Sequence, residues 1–331
     1  MNRPAVFVTK RLPTSVLDEL SARYAVEIWK DPSGPSAEEI ALHAASCTAI
    51  ISQPTDRVDA ALLDRTPELR VVANVAVGYD NVDVPAARER RVIVTNTPDV
   101  LTDSCATYTW GLILAATRRI AEGDRLVRRG AWHGWAIDFM LGCELVGRQL
   151  GIIGMGRIGQ AVAAKAGAFG MQVAYVPSRR GDREPLRAPD GTPYRPLSLD
   201  ELLVTSDIVS LHVPLGPETH HLIDAKTLAR MKRSAFLVNM ARGPVVDEAA
   251  LAWALREGLI SGAALDVYEN EPSVHPDLFD LEQVVLAPHL GSATRETRTA
   301  MADLAVRNVL AVLDGRSPLT PVPGSYPPQP R

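Results

Sequence analysis

The segment from Gln149 to Gly159 constrains the fold most, because a short apolar run there turns through three spaced glycines into a helical pattern. In such a turn Gly154 permits a tight backbone path, Gly156 lets main-chain N–H groups approach a pyrophosphate, and Gly159 allows close packing of helix on strand. Strand, glycines and helix occur in the required order, which predicts a dinucleotide site, although a tight turn without a ligand is the alternative. The predicted cofactor contacts in this segment are Gly154, Met155, Gly156, Arg157, Ile158 and Gly159.

The end of the next predicted strand, Val173–Val176, indicates which dinucleotide binds. NAD-specific sites usually carry an acidic residue there, which accepts hydrogen bonds from the adenosine ribose. This chain instead has Pro177 followed by Ser178-Arg179-Arg180. Guanidinium groups bind phosphate oxygens in bidentate fashion, so we expect this segment to bind a 2′-phosphate and to favour NADP(H), with NAD possible. The alternative is that the arginines lie in a solvated loop and that Asp182 supplies the acid.

Composition excludes several classes of protein. A chain of 331 residues with a formal net charge of −4 suits about two domains and gives no electrostatic case for binding nucleic acid or an anionic membrane. The longest apolar run, Trp110–Thr117, is too short to span a bilayer, and the N-terminus does not resemble a secretory signal. The three cysteines have no spacing typical of a disulfide framework or a zinc site. We therefore expect a cytoplasmic protein with reduced thiols and no metal.

Short apolar strands alternate with helical patterns along the first hundred residues and again from Leu150 to Ala287. This alternation predicts an α/β fold with two doubly wound parallel-sheet domains and the active site in the cleft between them. One long helix is predicted from Thr102 to about Val127, and a final helix, about Arg295–Leu313, is predicted to return to the first domain. The predicted domains are a discontinuous, flavodoxin-like substrate-binding domain (residues 1–100 and 293–331) and a Rossmann NAD(P)-binding domain (residues 101–292).

Three residues that could carry the chemistry, Arg242, Glu271 and His289, each follow a predicted strand of the second domain. Ligands in doubly wound sheets bind beyond the carboxyl ends of the strands, so these side chains should converge. A guanidinium can hold the carboxylate of a keto acid and polarise its carbonyl, and an imidazolium can protonate the developing alkoxide. A neighbouring carboxylate favours the imidazolium and orients the ring. Each residue alone is more often a surface or turn residue, but the set after a dinucleotide motif predicts catalysis.

These motifs resemble those of the D-isomer-specific 2-hydroxyacid dehydrogenases, and most closely the glyoxylate/hydroxypyruvate reductases. The resemblance covers nearly the whole chain and implies that Arg242 binds substrate, that Glu271 is the carboxylate partner, with Glu269 as its competitor, and that His289 is the proton donor. The segments that carry it are Val72–Asp83, Leu101–Asp103, Gly154–Gly159, Asn239–Gly243, Asp266–Pro272 and Pro288–Ser292. Further predicted cofactor contacts are His212, Pro214, Met240, Ala241, Asp266 and Gly291, with Asp266 near the nicotinamide carboxamide.

The pair Val77-Gly78 is predicted to bind the substrate carboxylate, together with Arg242 and His289. Gly78 has no side chain to block an anion that approaches successive backbone N–H groups, although a plain strand-ending turn is the alternative. Valine at this position resembles the reductases, whereas phosphite dehydrogenases tend to carry lysine there. The segment Ser52-Gln53-Pro54-Thr55 stands where the reductases usually place apolar side chains over the substrate, and Cys105 stands where the family often has threonine.

The segment Trp132–Trp135 resembles an arm that, in the reductases, approaches the neighbouring subunit, and packing within an interface is an equal alternative. The resemblance also implies a homodimer. The expected activity is NADPH-preferring reduction of a small 2-oxo acid of the glyoxylate or hydroxypyruvate type. Alternatives are 2-ketogluconate, another 2-oxo acid or phosphite on the same machinery. A non-enzymatic alternative is a dinucleotide-sensing protein similar to the C-terminal-binding corepressors.

Overall fold

The computed structural model describes residues 5–178 and 186–325. The chain divides into two compact units, which are unit 1 (Met1–Leu101 with Ala293–Arg331) and unit 2 (Thr102–Ser292). Substrate binding by one unit and cofactor binding by the other stay predictions. In the described part of the chain, no helix combines the length and the apolar character needed to cross a bilayer.

Unit 1 contains a five-stranded, all-parallel sheet with the strand order β2-β1-β3-β4-β5, which is the flavodoxin-like order. The strands are β1 (Ala5–Val8), β2 (Ala25–Ile28), β3 (Cys47–Ser52), β4 (Val71–Asn74) and β5 (Ile93–Thr95). The helices that cover them are α1 (Thr14–Arg23), α2 (Ala37–His43), α3 (Ala60–Asp64), α4 (Val84–Glu89) and the last helix of the chain, Arg295–Leu313. All four residues of β4 are buried, as expected for a parallel strand with helices on both faces, and the last helix packs against β3 and β4.

Unit 2 contains a seven-stranded parallel sheet with the order β12-β11-β10-β9-β6-β7-β8. Its strands are β6 (Gln149–Ile153), β7 (Gln172–Val176), β8 (Arg195–Pro196), β9 (Ile208–Leu211), β10 (Phe236–Asn239), β11 (Gly262–Leu265) and β12 (Val284–Leu286). Its helices are α5 (Thr102–Thr117), α6 (Ile120–Arg128), α7 (Arg157–Ala166), α8 (Leu199–Thr205), α9 (Ala225–Leu228) and α10 (Glu248–Arg256). The last helix of the chain, Arg295–Leu313, belongs to unit 1 and is labelled α11. This is the Rossmann order, in which the order of the strands along the sheet reverses between β6 and β9. The prediction of two doubly wound parallel sheets is confirmed.

The prediction of one continuous helix from Thr102 to about Val127 is wrong. Helix α5 ends at Thr117 and α6 begins at Ile120, with Arg119 between them in the left-handed region at φ 54°. The Arg119 guanidinium donates to both carboxylate oxygens of Glu122, at 2.8 and 2.6 Å, which favours this turn. The helical pattern of the sequence continues across the break, because a single left-handed residue leaves little trace in the apolar periodicity.

Helix α5 fixes the position of α7 within unit 2. The Trp110 indole N–H donates to the Val162 carbonyl oxygen at 3.0 Å, and the Trp110 ring stacks on Phe169 with 4.2 Å between centroids. Trp110 and Val162 are both buried, so the contact adds apolar burial to the hydrogen bond. Packing on α5 therefore fixes the position of α7, the helix whose N-terminal end contains the glycine motif.

Candidate active site

The glycine motif forms the turn between β6 and α7. Gly154 has φ 102°, and a Cβ atom there would lie 2.5 Å from the carbonyl carbon of His212. A Cβ atom at Gly159 would lie 2.3 Å from the Gly154 carbonyl oxygen, so that helix and strand approach closely. At Gly156, by contrast, no heavy atom of the described residues lies within 4 Å of a Cβ position. Open space therefore faces the N-terminus of α7, where backbone N–H groups favour an anion.

The remaining predicted cofactor residues of this region lie around that turn. Met155 lies between the first two glycines, and Arg157 and Ile158 are the first residues of α7. Ser178 is exposed just beyond the end of β7. Arg179, Arg180 and the alternative residue Asp182 lie outside the described residues.

His212 follows β9, at the point where the strand order of the sheet reverses. Its backbone N–H donates to the Ile153 carbonyl oxygen at 2.8 Å. Its Nε2 lies 2.9 Å from Ser210 Oγ, whereas its Nδ1 is buried and has no hydrogen-bond partner within residues 5–178 and 186–325. Burial lowers the pKa of the His212 imidazole to about 4, so the ring is neutral near physiological pH. A buried polar atom without a partner beside the glycine turn fits a cofactor site. Pro214 lies two residues further on.

Arg242 lies in the turn that follows β10. Asn239 organises this turn, because its Oδ1 accepts the Ala241 N–H at 3.0 Å and its Nδ2 donates to the Arg242 carbonyl oxygen at 3.0 Å. The Arg242 guanidinium donates to the Ala241 carbonyl oxygen at 2.9 Å. Met240 and Ala241 thus lie in a turn that is fixed by a buried side chain.

Gly243 brings the Arg242 turn against the loop that follows β11. A Cβ atom at Gly243 would lie 1.8 Å from the Tyr268 carbonyl carbon and 2.3 Å from the Glu269 nitrogen. No side chain fits in that space without moving the backbone. Gly243 ends the predicted motif Asn239–Gly243, but nothing in the sequence indicates this close approach.

His289 and Glu271 form a pair at the carboxyl ends of β12 and β11. His289 Nδ1 lies 2.8 Å from Glu271 Oε2, and the Tyr268 N–H donates to Glu271 Oε1 at 3.2 Å. The backbone N–H of His289 donates to the Asp266 carbonyl oxygen at 2.9 Å, with His289 in the left-handed region at φ 54°. Because Nδ1 faces the carboxylate, the opposite edge of the ring carries Nε2, the nitrogen that could transfer a proton to a ligand.

The charge state of Glu271 follows from its neighbours. Burial by itself would raise the pKa of the Glu271 carboxyl. The hydrogen bond and charge of His289 oppose this effect, and the Tyr268 N–H and the Arg242 guanidinium add to them, so the pKa lies below its usual value. Glu271 is therefore a carboxylate at neutral pH, suited to hold a protonated imidazole.

Glu269, the competitor for the carboxylate role, points elsewhere. Its Oε1 accepts the Glu248 N–H at 2.9 Å and lies 3.3 Å from His221 Nε2, an ion-pair distance without hydrogen-bond geometry. Of the two glutamates in the loop, Glu271 is the one that contacts His289.

Asp266 is almost fully buried and shapes the turn that carries His289. Its Oδ1 accepts the Leu290 N–H at 2.7 Å, and its Oδ2 accepts the Gly291 N–H at 2.8 Å. Burial raises the pKa of Asp266 above its usual value, although these two amides and the His289 charge lower it. The structure thus gives Asp266 a turn-forming role that sequence reasoning missed, and its predicted contact with a nicotinamide carboxamide stays a prediction.

Cys105 lies beside Gly291, where a Cβ atom would be 3.3 Å from the thiol sulfur and 2.9 Å from the Met240 methyl carbon. Burial raises the pKa of the Cys105 thiol to about 12, so it stays protonated. The hydroxyl of Ser104 donates to the Gly291 carbonyl oxygen at 3.0 Å. Helix α5 therefore packs directly on the Gly291 turn.

In unit 1, the Val77-Gly78 turn is held by two side-chain amides. Asn96 Nδ2 donates to the Val77 carbonyl oxygen at 2.7 Å, and Asn74 Nδ2 donates to the Gly78 carbonyl oxygen at 2.9 Å. Within the described residues, the backbone N–H groups of Val77 and Gly78 donate to no protein acceptor. Such a turn presents N–H donors to an anion.

Gln53 lies in a neighbouring turn of unit 1. Its N–H donates to Asp56 Oδ2 at 2.7 Å, and its carbonyl oxygen accepts from Asn81 Nδ2 at 3.1 Å. Asn81 Nδ2 also lies 3.3 Å from Asn74 Oδ1, so the Gln53 turn and the Val77-Gly78 turn share one polar network.

A cavity of about 700 Å³ lies at the other end of the unit 2 sheet, near the amino ends of β10 and β12. Its lining includes Ala116, Cys143, Phe236 and Gln283 and none of the predicted site residues. This cavity therefore lies apart from the hydrogen-bonded charges at the carboxyl ends of the strands, where the sequence predicts the chemistry. Among the described residues, no group of three His, Cys, Asp or Glu side chains is arranged to hold a metal ion.

Comparison with known proteins identifies the family. The family model for the D-isomer specific 2-hydroxyacid dehydrogenase, NAD binding domain, matches residues 110–291. The glyoxylate reductase of Korarchaeum cryptofilum is 48% identical over 319 residues, which cover 96% of this chain and 95% of that protein. The crystal structure of the TT0316 protein from Thermus thermophilus has a TM-score of 0.86 at 46% identity and covers 96% of this chain and 99% of that chain.

A further solved structure is that of the NADPH-dependent glyoxylate/hydroxypyruvate reductase of Sinorhizobium meliloti, in complex with NADP and malonate. It has a TM-score of 0.85 at 36% identity, over 98% of this chain and 98% of that chain. The fold and these matches define an NAD(P)-dependent oxidoreductase. The chain belongs to the D-isomer-specific 2-hydroxyacid dehydrogenase family, so the resemblance predicted from its motifs is confirmed.

Proposed function

We propose that this protein is an NADPH-preferring reductase of a small 2-oxo acid, of the glyoxylate or hydroxypyruvate type. The single observation that carries the proposal is the contact of 2.8 Å between His289 Nδ1 and Glu271 Oε2, next to the Arg242 turn. This pair supplies a proton donor and its anionic support, and Arg242 supplies a cation for the substrate. Relatives named glyoxylate reductase, one of them 48% identical to this chain, support this choice of substrate.

The residues divide the reaction between them. When bound, the reduced nicotinamide supplies the hydride for the carbonyl carbon of the substrate. Arg242 and the N–H groups of Val77 and Gly78 bind the substrate carboxylate, and Arg242 also polarises the carbonyl. His289 donates a proton from Nε2 to the carbonyl oxygen as negative charge develops there, and Glu271 holds the imidazole in place.

The cofactor binds unit 2 in this proposal, with its pyrophosphate at the N-terminus of α7. The open space at Gly156 and the buried, unpartnered Nδ1 of His212 support that placement. Met155, Arg157 and Ile158 would line the pyrophosphate, and Pro214, Met240, Ala241, Asp266 and Gly291 would line the remainder of the dinucleotide.

The activity test is a panel of substrates assayed with NADPH and with NADH, following nicotinamide oxidation. Glyoxylate and hydroxypyruvate should be reduced with higher kcat/KM than 2-ketogluconate or pyruvate. The reverse assay, phosphite with NADP⁺, should give no turnover. Preference for 2-ketogluconate or phosphite would replace the proposed substrate, and absence of turnover on every substrate would favour the dinucleotide-sensing alternative.

Cofactor choice is tested at Ser178-Arg179-Arg180. Replacing Arg179 and Arg180 by alanine should lower kcat/KM for NADPH by about tenfold to a hundredfold and leave that for NADH nearly unchanged, because only NADPH carries the 2′-phosphate. Arg233→Ala, at an exposed arginine of the same unit, is the matched control and should alter neither value. A wild-type protein with a higher kcat/KM for NADH than for NADPH would contradict the assignment.

The proposal includes a homodimer, formed through the segment that follows α6. This segment exposes large apolar side chains, with Trp132 57%, Trp135 79%, Ile137 79% and Leu141 66% accessible. A patch of this kind is uncommon on a monomer and typical of a protein interface. Light scattering coupled to gel filtration should give twice the monomer mass, and Trp135→Ser together with Ile137→Ser should shift the protein toward monomer. A monomeric wild-type protein would exclude the dimer.

We also propose that the protein is cytoplasmic. Cys47, Cys105 and Cys143 are all free thiols, which suits a reducing compartment. Fractionation of the source cells, with detection by antibody, should place the protein in the cytoplasmic fraction. Recovery from an extracellular or periplasmic fraction would contradict this location.

A further inference from the structure

One buried carboxylate outside the proposed catalytic set, that of Glu248, holds both ends of the segment that carries Glu271. Glu248 Oε1 accepts the backbone N–H of Glu269 at 2.8 Å, and its Oε2 accepts the backbone N–H of His275 at 3.2 Å. Glu248 is only 4% exposed. The segment between these two anchors, Glu269–His275, contains Glu271 near its start.

The connection is reciprocal. The Glu248 backbone N–H donates to Glu269 Oε1 at 2.9 Å, so the two residues exchange a pair of main-chain to side-chain hydrogen bonds. Glu248 is the first residue of α10, and Asp247 is the N-cap, with its Oδ1 accepting the Ala250 N–H at 2.9 Å. A carboxylate at a helix N-terminus is favoured by the helix dipole, and the N–H of the first helical residue lacks a partner within the helix. Glu269 satisfies that N–H.

Charge and hydrogen-bonding capacity both matter at this position. Each oxygen of the Glu248 carboxylate accepts a main-chain N–H, whereas a glutamine offers one acceptor and an NH₂ group that would face the other N–H. Burial raises the pKa of the Glu248 carboxyl, and the hydrogen bonds from the backbone amides of Glu269 and His275 offset only part of this effect. Among the described residues, the charged and titratable groups that face Glu248 are Glu269, His275 and Tyr268, and His221 lies beyond Glu269.

From this geometry we infer that Glu248 is a positioning residue for the proton-donor pair, because it fixes the segment that holds Glu271 against His289. The inference rests on the proposed roles of those two residues. Asp266, Arg242 and Tyr268 of unit 2 face the pair, and Tyr268 also lies within electrostatic reach of Glu248. The hydrogen bonds of the Glu248 carboxylate itself go to the N–H groups of Glu269 and His275. Loss of the Glu248 anchors would act on His289 through displacement of Glu271.

The experiment compares Glu248→Gln, Glu271→Gln and the double variant across about pH 5.5 to 9.5, with kcat/KM for glyoxylate as the readout. Because Glu271 is an anion beside the proposed proton donor, Glu271→Gln should move the alkaline fall of kcat/KM to lower pH. Glu248→Gln should move the alkaline limb in the same direction by a smaller amount and lower kcat by about tenfold. The Kd for NADPH should stay within about twofold of wild type.

The double variant distinguishes action through Glu271 from an independent effect. If Glu248 acts through Glu271, the double variant should show the same alkaline limb as Glu271→Gln alone. A further shift in the double variant would overturn the inference, because Glu248 would then act independently. A wild-type pH profile for Glu248→Gln beside a shifted profile for Glu271→Gln would also overturn it while leaving the proposed function intact. A wild-type profile for Glu271→Gln would instead overturn the proposed function.

Two further variants separate positioning from general destabilisation. Asp247→Ala removes the N-cap at the same helix end without touching the Glu269–His275 segment, and it should lower the Tm while leaving the pH profile unchanged. If Glu248→Gln fails to fold, His275→Pro tests the same anchor, because proline fits φ −58° and removes the N–H that Glu248 accepts. Proline also removes the imidazole that accepts the Asp277 N–H, so His275→Ala, which loses the side chain and keeps the N–H, is its control. A shift of the alkaline limb to lower pH in His275→Pro is expected, and an unshifted limb would overturn the inference.

Discussion

His289 Nδ1 lies 2.8 Å from Glu271 Oε2, and both residues belong to unit 2. The other oxygen of Glu271 accepts the Tyr268 N–H at 3.2 Å, and the His289 backbone is held by the Asp266 carbonyl at 2.9 Å. The pair is therefore assembled from residues of unit 2. In the proposed mechanism, a His289 ring held in this way does not have to be ordered when substrate binds.

The stability contributed by Glu271 should depend on pH. The pKa of its carboxyl is lowered in the folded protein, so its contribution is present above the usual glutamate pKa, about 4.3, and is lost as pH falls through the lower folded value. Glu271→Gln should therefore be less stable than wild type at neutral pH, with a difference that narrows as the pH falls below about 4.3. Urea unfolding followed by circular dichroism at a series of pH values measures this difference. A difference that stays constant down to acid pH would show that the ionised carboxylate contributes nothing.

Gly243→Ala should be among the most damaging single changes in unit 2. Its Cβ would lie 1.8 Å from the Tyr268 carbonyl carbon, so the Arg242 turn and the Glu271 loop must separate. We expect a loss of about 3 kcal/mol or more in unfolding free energy and a loss of about a hundredfold in kcat/KM for glyoxylate. The measurements are urea unfolding and steady-state kinetics.

Gly167→Ala is the matched control for that substitution. Gly167 has φ −59° and is exposed, and no heavy atom of the described residues lies within 4 Å of its Cβ position. Stability and activity should stay near wild type. Normal activity in Gly243→Ala would contradict the close approach of the two loops.

His212 should make the protein sensitive to acid. Its pKa is lowered by burial from 6.5 to about 4, so its contribution to stability is present above 6.5 and is lost as pH falls toward 4. That shift corresponds to at most about 3 kcal/mol. His212→Gln removes the titrating group, so the variant should lose less unfolding free energy than wild type between neutral pH and about pH 4.5. Parallel losses in the two proteins, measured by urea unfolding, would show that His212 is not held neutral by the fold.

Much of the fold was predictable because each doubly wound unit repeats a simple pattern. Strands such as Ile208–Leu211 are buried at every position, so they appear in the sequence as short apolar runs between helical patterns. Strand β2, Ala25–Ile28, lies at the edge of its sheet, alternates between exposed and half-buried positions and carries Glu27, so its sequence gave a weak strand signal. The left-handed turn at Arg119, which separates α5 from α6, left the apolar pattern nearly unbroken.

The proposed catalytic side chains were predictable because strand ends in a parallel sheet converge, and because the Arg, Glu and His motifs are specific. The supporting residues were harder to predict. The carboxylate of Glu248 contacts residues 21 and 27 positions away, at Glu269 and His275, and only the three-dimensional packing of α10 on the β11 loop brings them together. The need for glycine at position 243 likewise arises from the backbone of Tyr268 and not from any local turn.

The central claim, that His289 supplies the proton, is tested most directly by His289→Asn. Asparagine tolerates the left-handed backbone at φ 54° and keeps a polar side chain, but it has no group that titrates near neutral pH. We expect a fall in kcat for glyoxylate of about a hundredfold to ten-thousandfold, with the Kd for NADPH within about twofold of wild type. A kcat within about threefold of wild type, with NADPH still bound, would contradict it.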